Sequence, residues 1–170
     1  MGGGVLRYCM INAYCDGGVS MKAGIGGWAV VFVEEGGGVS YINGYDRRQG
    51  VTNNKMEMMG VIMAMKYCAE HYPGQPVTIT SDSEYIVKGC NEWLDKWVLK
   101  QWKTTTGPVK NQNYWQEIKA LRDVVKPTIQ WCRGHDGNEY NEMADKLCVG
   151  AYQQALTDNK TGVSYQHDNQ

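Results

Sequence analysis

Residues Thr52 to His71 read TNNKMEMMGVIMAMKYCAEH, and their periodicity predicts a single helix. Counting from Glu57, the positions on its own face are Val61, Ala64 and Cys68, so a carboxylate heads an apolar stripe. Stripping water from a carboxylate is costly unless it is paired or bound to a metal, and only Lys55, Lys66 and Glu70 in this stretch suit water. Glu57 therefore needs a partner from elsewhere in the chain.

On either side of the helix the pattern changes to strands. Leu6 to Cys15 is an apolar and aromatic strand closed by Asp16, and GGVSMKAGIGG after it reads as a flexible glycine turn. Trp28 to Glu34 forms a second strand, Gly36 to Gly38 a hairpin turn, and Val39 to Tyr45 a third strand, giving an antiparallel meander. The helix, capped by Thr52 or Asn53, ends near Tyr72 and Pro73. Val77 to Ser81 then makes a buried strand parallel to the meander, closed by Asp82. Ser83 caps a short helix to about Cys90, and a helix carrying Trp93, Trp97 and Lys100 on one side leads into a loop. A helix from Asn113 to Val125 stops at Pro127, Thr128 to Cys132 is the fifth strand, and Asn138 to Leu156 the last helix. The fold class is α/β: a five-stranded mixed sheet, with strands 4 and 5 parallel to strand 1, flanked by helices. One domain is expected over residues 5–156 of the 170, with loose termini at 1–4 and 157–170.

The net charge of −1 gives no general attraction to nucleic acid, so any such binding needs a local basic patch. Six cysteines without a CxxC pair, most in apolar runs, read as reduced and packed. No stretch approaches the roughly 18 apolar residues of a membrane helix, and MGGGVLRYC has no signal-peptide apolar region. A cytoplasmic location and a monomer are expected.

Asp16 and Asp82 each close a strand, and in an open α/β sheet ligands collect beyond the carboxyl ends of parallel strands. Glu57 joins them from its helix, and Asp145 from the last helix, near the loop carrying His135. Gathered carboxylates repel one another unless cations neutralise them. A hard divalent ion is the economical occupant: magnesium, with manganese as the alternative. Four acids suit two ions about 4 Å apart, the arrangement of phosphodiester hydrolysis. Three of the acids and the histidine also have a plain structural role available: Asp16 as a turn acid, Asp82 as a helix cap, Asp145 as a partner of Lys146, and His135 as an exposed loop residue.

The segments YCDGG at Asp16, TNNKMEMM at Glu57, TSDSEYIVKG at Asp82 and GHDGNEYNEMADKL from His135 to Asp145 together resemble type 1 ribonuclease H, in order, over Met10 to Ala155. The resemblance implies the ribonuclease H-like fold and metal-dependent endonucleolytic cleavage of the RNA strand of RNA/DNA hybrids by two metal ions, leaving 3′-hydroxyl and 5′-phosphate ends. It implies that Asp16, Glu57, Asp82 and Asp145 are metal ligands, and that His135 is a catalytic loop histidine. Gly17, Gly18 and Val19 are then candidates for reading the RNA 2′-OH, and Thr52, Asn53 and Asn54 for substrate contacts. Asn91 to Asn111 resembles the family's basic protrusion, with Trp93, Lys96, Trp97, Lys100, Trp102 and Lys103 as DNA-strand contacts and Thr104 and Asn111 as further phosphate or channel contacts. Tryptophans packing this helix onto the domain are the bland alternative for Trp93. Lys22, Ala23 and Gly50 depart from the pattern of well-known members. The competing functions are a DNA-directed nuclease of the same fold and a non-catalytic hybrid-binding module.

Overall fold

The computed structural model describes residues 9–134 and 136–164. His135 and the first residues of the expected opening strand lie outside them. The strands are β1 (Ile11–Ser20), β2 (Ile25–Glu34), β3 (Val39–Asp46), β4 (Val77–Ser81), a small ribbon of β5 (Lys103–Thr104) and β6 (Gly107–Pro108), and β7 (Thr128–Trp131). The helices are α1 (Asn53–His71), α2 (Glu84–Lys88), α3 (Leu94–Leu99), α4 (Gln112–Val125) and α5 (Glu139–Thr157). The main sheet runs β3-β2-β1-β4-β7, with β1, β2 and β3 antiparallel and β1, β4 and β7 parallel. This is the mixed five-stranded sheet expected from the sequence.

Four differences have physical causes. First, GGVSMKAGIGG is no flexible loop: β1 runs on through Gly17 and Gly18 to Ser20, and β2 starts at Ile25. Gly17 and Gly27 serve close packing. A Cβ on Gly17 would lie 2.2 Å from the Met56 carbonyl carbon of α1, and one on Gly27 would lie 2.4 Å from the Cys148 carbonyl oxygen of α5. Because alternate residues face opposite sides of a strand, Gly17 and Gly18 turn toward α1 and α5 respectively, which cover opposite faces of the sheet.

Second, α1 is buried on more than one stripe. Val61, Ala64 and Cys68 are buried as expected, but so are Met56, Met58, Met59, Ile62 and Met65, with the sheet on one side and Tyr114, Trp115 and Ile118 of α4 in the same core. Thr52 is its cap, with Oγ1 accepting from the Lys55 N–H at 3.1 Å.

Third, the helix after Ser83 does not stop at Cys90. Ser83 Oγ caps α2 by accepting from the Ile86 N–H at 3.3 Å, and a π-helical turn over Gly89–Trp93 carries the chain directly into α3. Gly89 sits where a Cβ would meet the Trp115 ring at 2.0 Å, so the helix can pass α4 only without a side chain there.

Fourth, residues 158–164, expected to be loose, lie along β3. Val163 bridges Asp46, the Arg47 N–H donates to the Gly162 oxygen at 2.7 Å, and the Ser164 N–H donates to the Tyr45 oxygen at 3.0 Å. The polar composition concealed a segment held by its backbone, which composition does not report.

Candidate active site

The parallel pairing of β1 with β4 puts Cys15 opposite Ser81, so the next residue of each segment, Asp16 within β1 and Asp82 just beyond β4, stands at the level where the β1–β4 ladder ends. Glu57, one turn into α1, arrives over them. One carboxylate oxygen from each of Asp16, Glu57 and Asp82 lies within 4.8 Å of the others. They line a cleft of about 470 Å³ with Gly17, Gly18, Val19, Asn53, Asn54, Ser83, Asp145, Cys148, Val149 and Tyr152. Asp145 lies outside the group of three but is a hydrogen-bonding neighbour of Asp16 from the α5 wall.

The electrostatics are those of unneutralised crowding. Burial, then the Asp82 charge and contact with Asp145, raise the Asp16 carboxyl to about 8, against a partial offset from the Gly17 peptide N–H. Burial and the charges of Asp16 and Asp82 push Glu57 well above the ordinary range as well. Glu57 Oε2 is sealed from solvent and has no hydrogen-bond partner. An orphaned carboxylate oxygen facing two further acids is the donor set of a hard divalent cation, so these residues fit a metal.

A stability consequence follows. The unfolded Asp16 carboxyl loses its proton near pH ~4, whereas the folded one keeps it to about pH 8. Between these values the native state binds more protons, so its stability is highest at the acid end and is lost as pH rises through the folded value. Metal-free protein melted in chelator should lose up to ~1 kcal/mol per pH unit across this window. Saturating magnesium should flatten the trend, and a flat metal-free profile would contradict the crowding.

The expected substrate residues divide. Val19 and Asn53 hold each other: the Val19 N–H donates to Asn53 Oδ1 at 3.0 Å, tying the end of β1 to the start of α1. Thr52 is spent on its cap, while Asn54 lines the cleft. In the expected protrusion the tryptophans pack. Trp93 lies 5.8 Å from Trp97, Trp97 lies 5.3 Å from the fully buried Trp115, and Trp97 and Trp102 lean on the core. Lys96, Lys100 and Lys103 are exposed. Asp95, on the same helix as Lys96, is paired with Arg122 of α4. Thr104 Oγ1 donates to the Gly107 oxygen within the β5–β6 ribbon, and Asn111, in a left-handed conformation, donates from Nδ2 to Tyr85 Oη at 3.2 Å. Cys148 and Tyr152 of the cleft were not singled out from the sequence. Cys148 follows Asp145 by three on α5, and that helical spacing is the signal that would have found it.

The RNase H family model matches residues 10–153, which spans both walls of this cleft. The chain belongs to the RNase H family. It is 34% identical over 158 residues to the ribonuclease H of Treponema denticola, covering 86% of this chain and 99% of that one. It is 42% identical over 136 residues to the ribonuclease H of a Cyanothece species, covering 79% and 83%. With the ribonuclease HI of Xylella fastidiosa it shares 36% identity over 158 residues, covering 91% and 98%. Among solved structures, LC9-RNase H1, a type 1 RNase H with the type 2 active-site motif, superposes with a TM-score of 0.72 at 26% identity, covering 95% of this chain and 80% of that one. LC11-RNase H1 in complex with an RNA/DNA hybrid, at TM-score 0.66, 22% identity and coverage of 86% and 99%, shares the fold. Within this RNase H fold the acids sit where the parallel β1–β4 ladder ends, at the carboxyl end of β4, where an open α/β sheet places its ligands.

Proposed function

We infer that this chain is a ribonuclease H, a hydrolase that cuts the RNA strand of RNA/DNA hybrids endonucleolytically and leaves 3′-hydroxyl and 5′-phosphate ends. The observation that carries this reading is the convergence of Asp16, Glu57 and Asp82 within 4.8 Å in a chain that the RNase H model matches over residues 10–153. Asp16, Glu57, Asp82 and Asp145 are the proposed ligands of magnesium, with manganese the alternative, because the donors are oxygen only. Two such ions, when bound, supply the charge that orients water for attack and stabilises the leaving 3′ oxygen. The chain's own part is to hold these acids in a partly buried cleft that is costly to leave unneutralised, and to seat the hybrid across it. His135, outside the described residues, is the proposed proton-handling group.

Seating the hybrid falls to two surfaces. Gly17, Gly18, Asn53 and Asn54 line the cleft, and the free N–H groups at the start of α1 suit a phosphate. The exposed Lys96, Lys100 and Lys103 form the proposed grip on the DNA strand. Replacing Lys96 and Lys100 together with alanine should flatten the log–log salt dependence of hybrid affinity by nearly two, about 0.9 for each lost phosphate contact. An unaltered slope would remove the protrusion from the binding surface. Six free thiols support a reducing, cytoplasmic setting, and the protein would act as a monomer. Among the described residues no helix is long and apolar enough to cross a membrane.

The deciding experiment incubates labelled RNA/DNA hybrid, duplex DNA and duplex RNA with the protein, with and without magnesium. Magnesium-dependent cleavage confined to the RNA of the hybrid is expected. Cleavage of duplex DNA would favour the DNA-directed nuclease, and tight binding without turnover the non-catalytic module.

A further inference from the structure

Trp131 ends β7 beside the cleft and is 45% exposed. Its ring is on the surface, but its indole N–H is committed, donating to the main-chain oxygen of Asp82 at 3.1 Å. Asp82 is the first residue beyond β4, so the strand ladder ends just before it. The neighbouring bonds converge on the same turn. The Cys132 N–H donates to the Ser81 oxygen at 2.9 Å, and the Ser83 N–H donates to Ser81 Oγ at 3.1 Å. The chain after Trp131 passes so near that a Cβ on Gly134 would lie 2.9 Å from Asp82 Oδ2. The end of β7 thus acts as a brace for one carboxylate of the three.

Resting on the ribonuclease H reading, we propose that Trp131 is a positioning residue that, through its indole N–H, sets the Asp82 peptide and with it the direction of the Asp82 carboxylate toward Asp16 and Glu57. A carbonyl held by a side-chain donor fixes the rotation of its peptide plane, and the Asp82 side chain turns with that plane. A ligand displaced by a fraction of an ångström costs metal affinity even where the fold is intact, because the ion's oxygen geometry is demanding. Groups standing behind metal ligands accordingly change affinity when removed, even though they never touch the ion. The exposed indole does not need burial to do this; it needs only its one N–H.

Trp131→Phe keeps the aromatic face and removes the donor. Magnesium is titrated against the protein alone, read as the rise in melting temperature, and separately against hybrid cleavage. The magnesium midpoint of Trp131→Phe should move about three- to tenfold higher in both titrations, the loss of one hydrogen bond behind a ligand. KM for the hybrid at saturating magnesium should stay at the wild-type value. The control is Gln130→Leu, one residue earlier, which loses the bond from Gln130 Nε2 to Thr80 Oγ1 at 3.0 Å on the same strand pair and should leave the midpoint in place. An unmoved midpoint in Trp131→Phe, an equal shift in Gln130→Leu, or a changed hybrid KM without a midpoint shift overturns the proposal. Failure of the ribonuclease H reading shows separately, as wild-type protein that does not cleave hybrid.

Discussion

Asp82→Asn is expected to reduce magnesium-dependent hybrid cleavage by ~10³-fold or more, about 4 kcal/mol of lost transition-state stabilisation, while raising the melting temperature of the metal-free protein. The two signs come from one charge. The amide matches the carboxylate in size, so packing at the head of α2 is preserved, but one of the three oxygens gathered within 4.8 Å no longer belongs to an anion. Without metal that removes repulsion, since the Asp82 charge is among the causes that raise both Asp16 and Glu57. With metal it removes a ligand. Hybrid affinity, carried by the proposed cationic and backbone contacts, should stay within about twofold of wild type. Cleavage that survives the substitution would exclude Asp82 from the chemistry, and a lower metal-free melting temperature would mean that the carboxylates are not crowded. A variant that merely misfolds loses both activity and melting temperature, so the opposed signs separate catalysis from folding.

Gly17→Ala is the second large effect, this time on the fold. The added Cβ meets the Met56 carbonyl carbon at 2.2 Å and the Glu57 nitrogen and Met56 oxygen at 2.4 Å each, all of them backbone atoms that no rotamer change can withdraw. The first turn of α1 would have to lift from β1 and carry Glu57 away from Asp16. A loss of about 3 kcal/mol in stability is expected, with cleavage down about 10²-fold under conditions where the variant is still folded. Denaturant midpoints and single-turnover cleavage measure the two. Gly18→Ala, one residue on, meets nothing nearer than Cys148 Sγ at 3.9 Å and should leave the midpoint near wild type. Equal effects of the two substitutions would show that α1 does not press on the strand at Gly17.

That pair of glycines also shows why part of the fold was hidden. A strand is legible when its side chains alternate, and α1 was legible because Val61, Ala64 and Cys68 recur at helical spacing from Glu57. GGVSMKAGIGG has hardly any side chains to alternate, so it reads as a turn, although β1 and β2 run through most of it. Gly17 and Gly27 are required by two helices that approach from opposite sides, and neither helix is close to them in sequence. The same limit applied to Trp93 and Trp97. Their spacing fits both an aromatic wall for substrate and a packed cluster, and the contact with Trp115 shows that they pack. Trp131 drew no attention in TIQWC, because the bond from an indole to a distant carbonyl leaves no pattern in sequence.

By itself the sequence determined the order of the main strands and helices, the apolar face that makes Glu57 an anomalous charge, and the acid that closes the fourth strand; it ended the first strand at Asp16, whereas β1 runs on to Ser20. These are local matters of side-chain period, capping and breaking, and each is written within a dozen or so residues. Only the tertiary structure decided which acids meet. The register of β1 against β4, Cys15 opposite Ser81, brings Asp16 and Asp82 out together, and the close approach of α1 at Gly17 lowers Glu57 onto them. Asp145 is placed one step further out, against Asp16 on the α5 wall. The physical reason is that a charge cluster is a set of distances between segments remote in sequence, and those distances are set by backbone pairing and helix packing rather than by the residues that carry the charge.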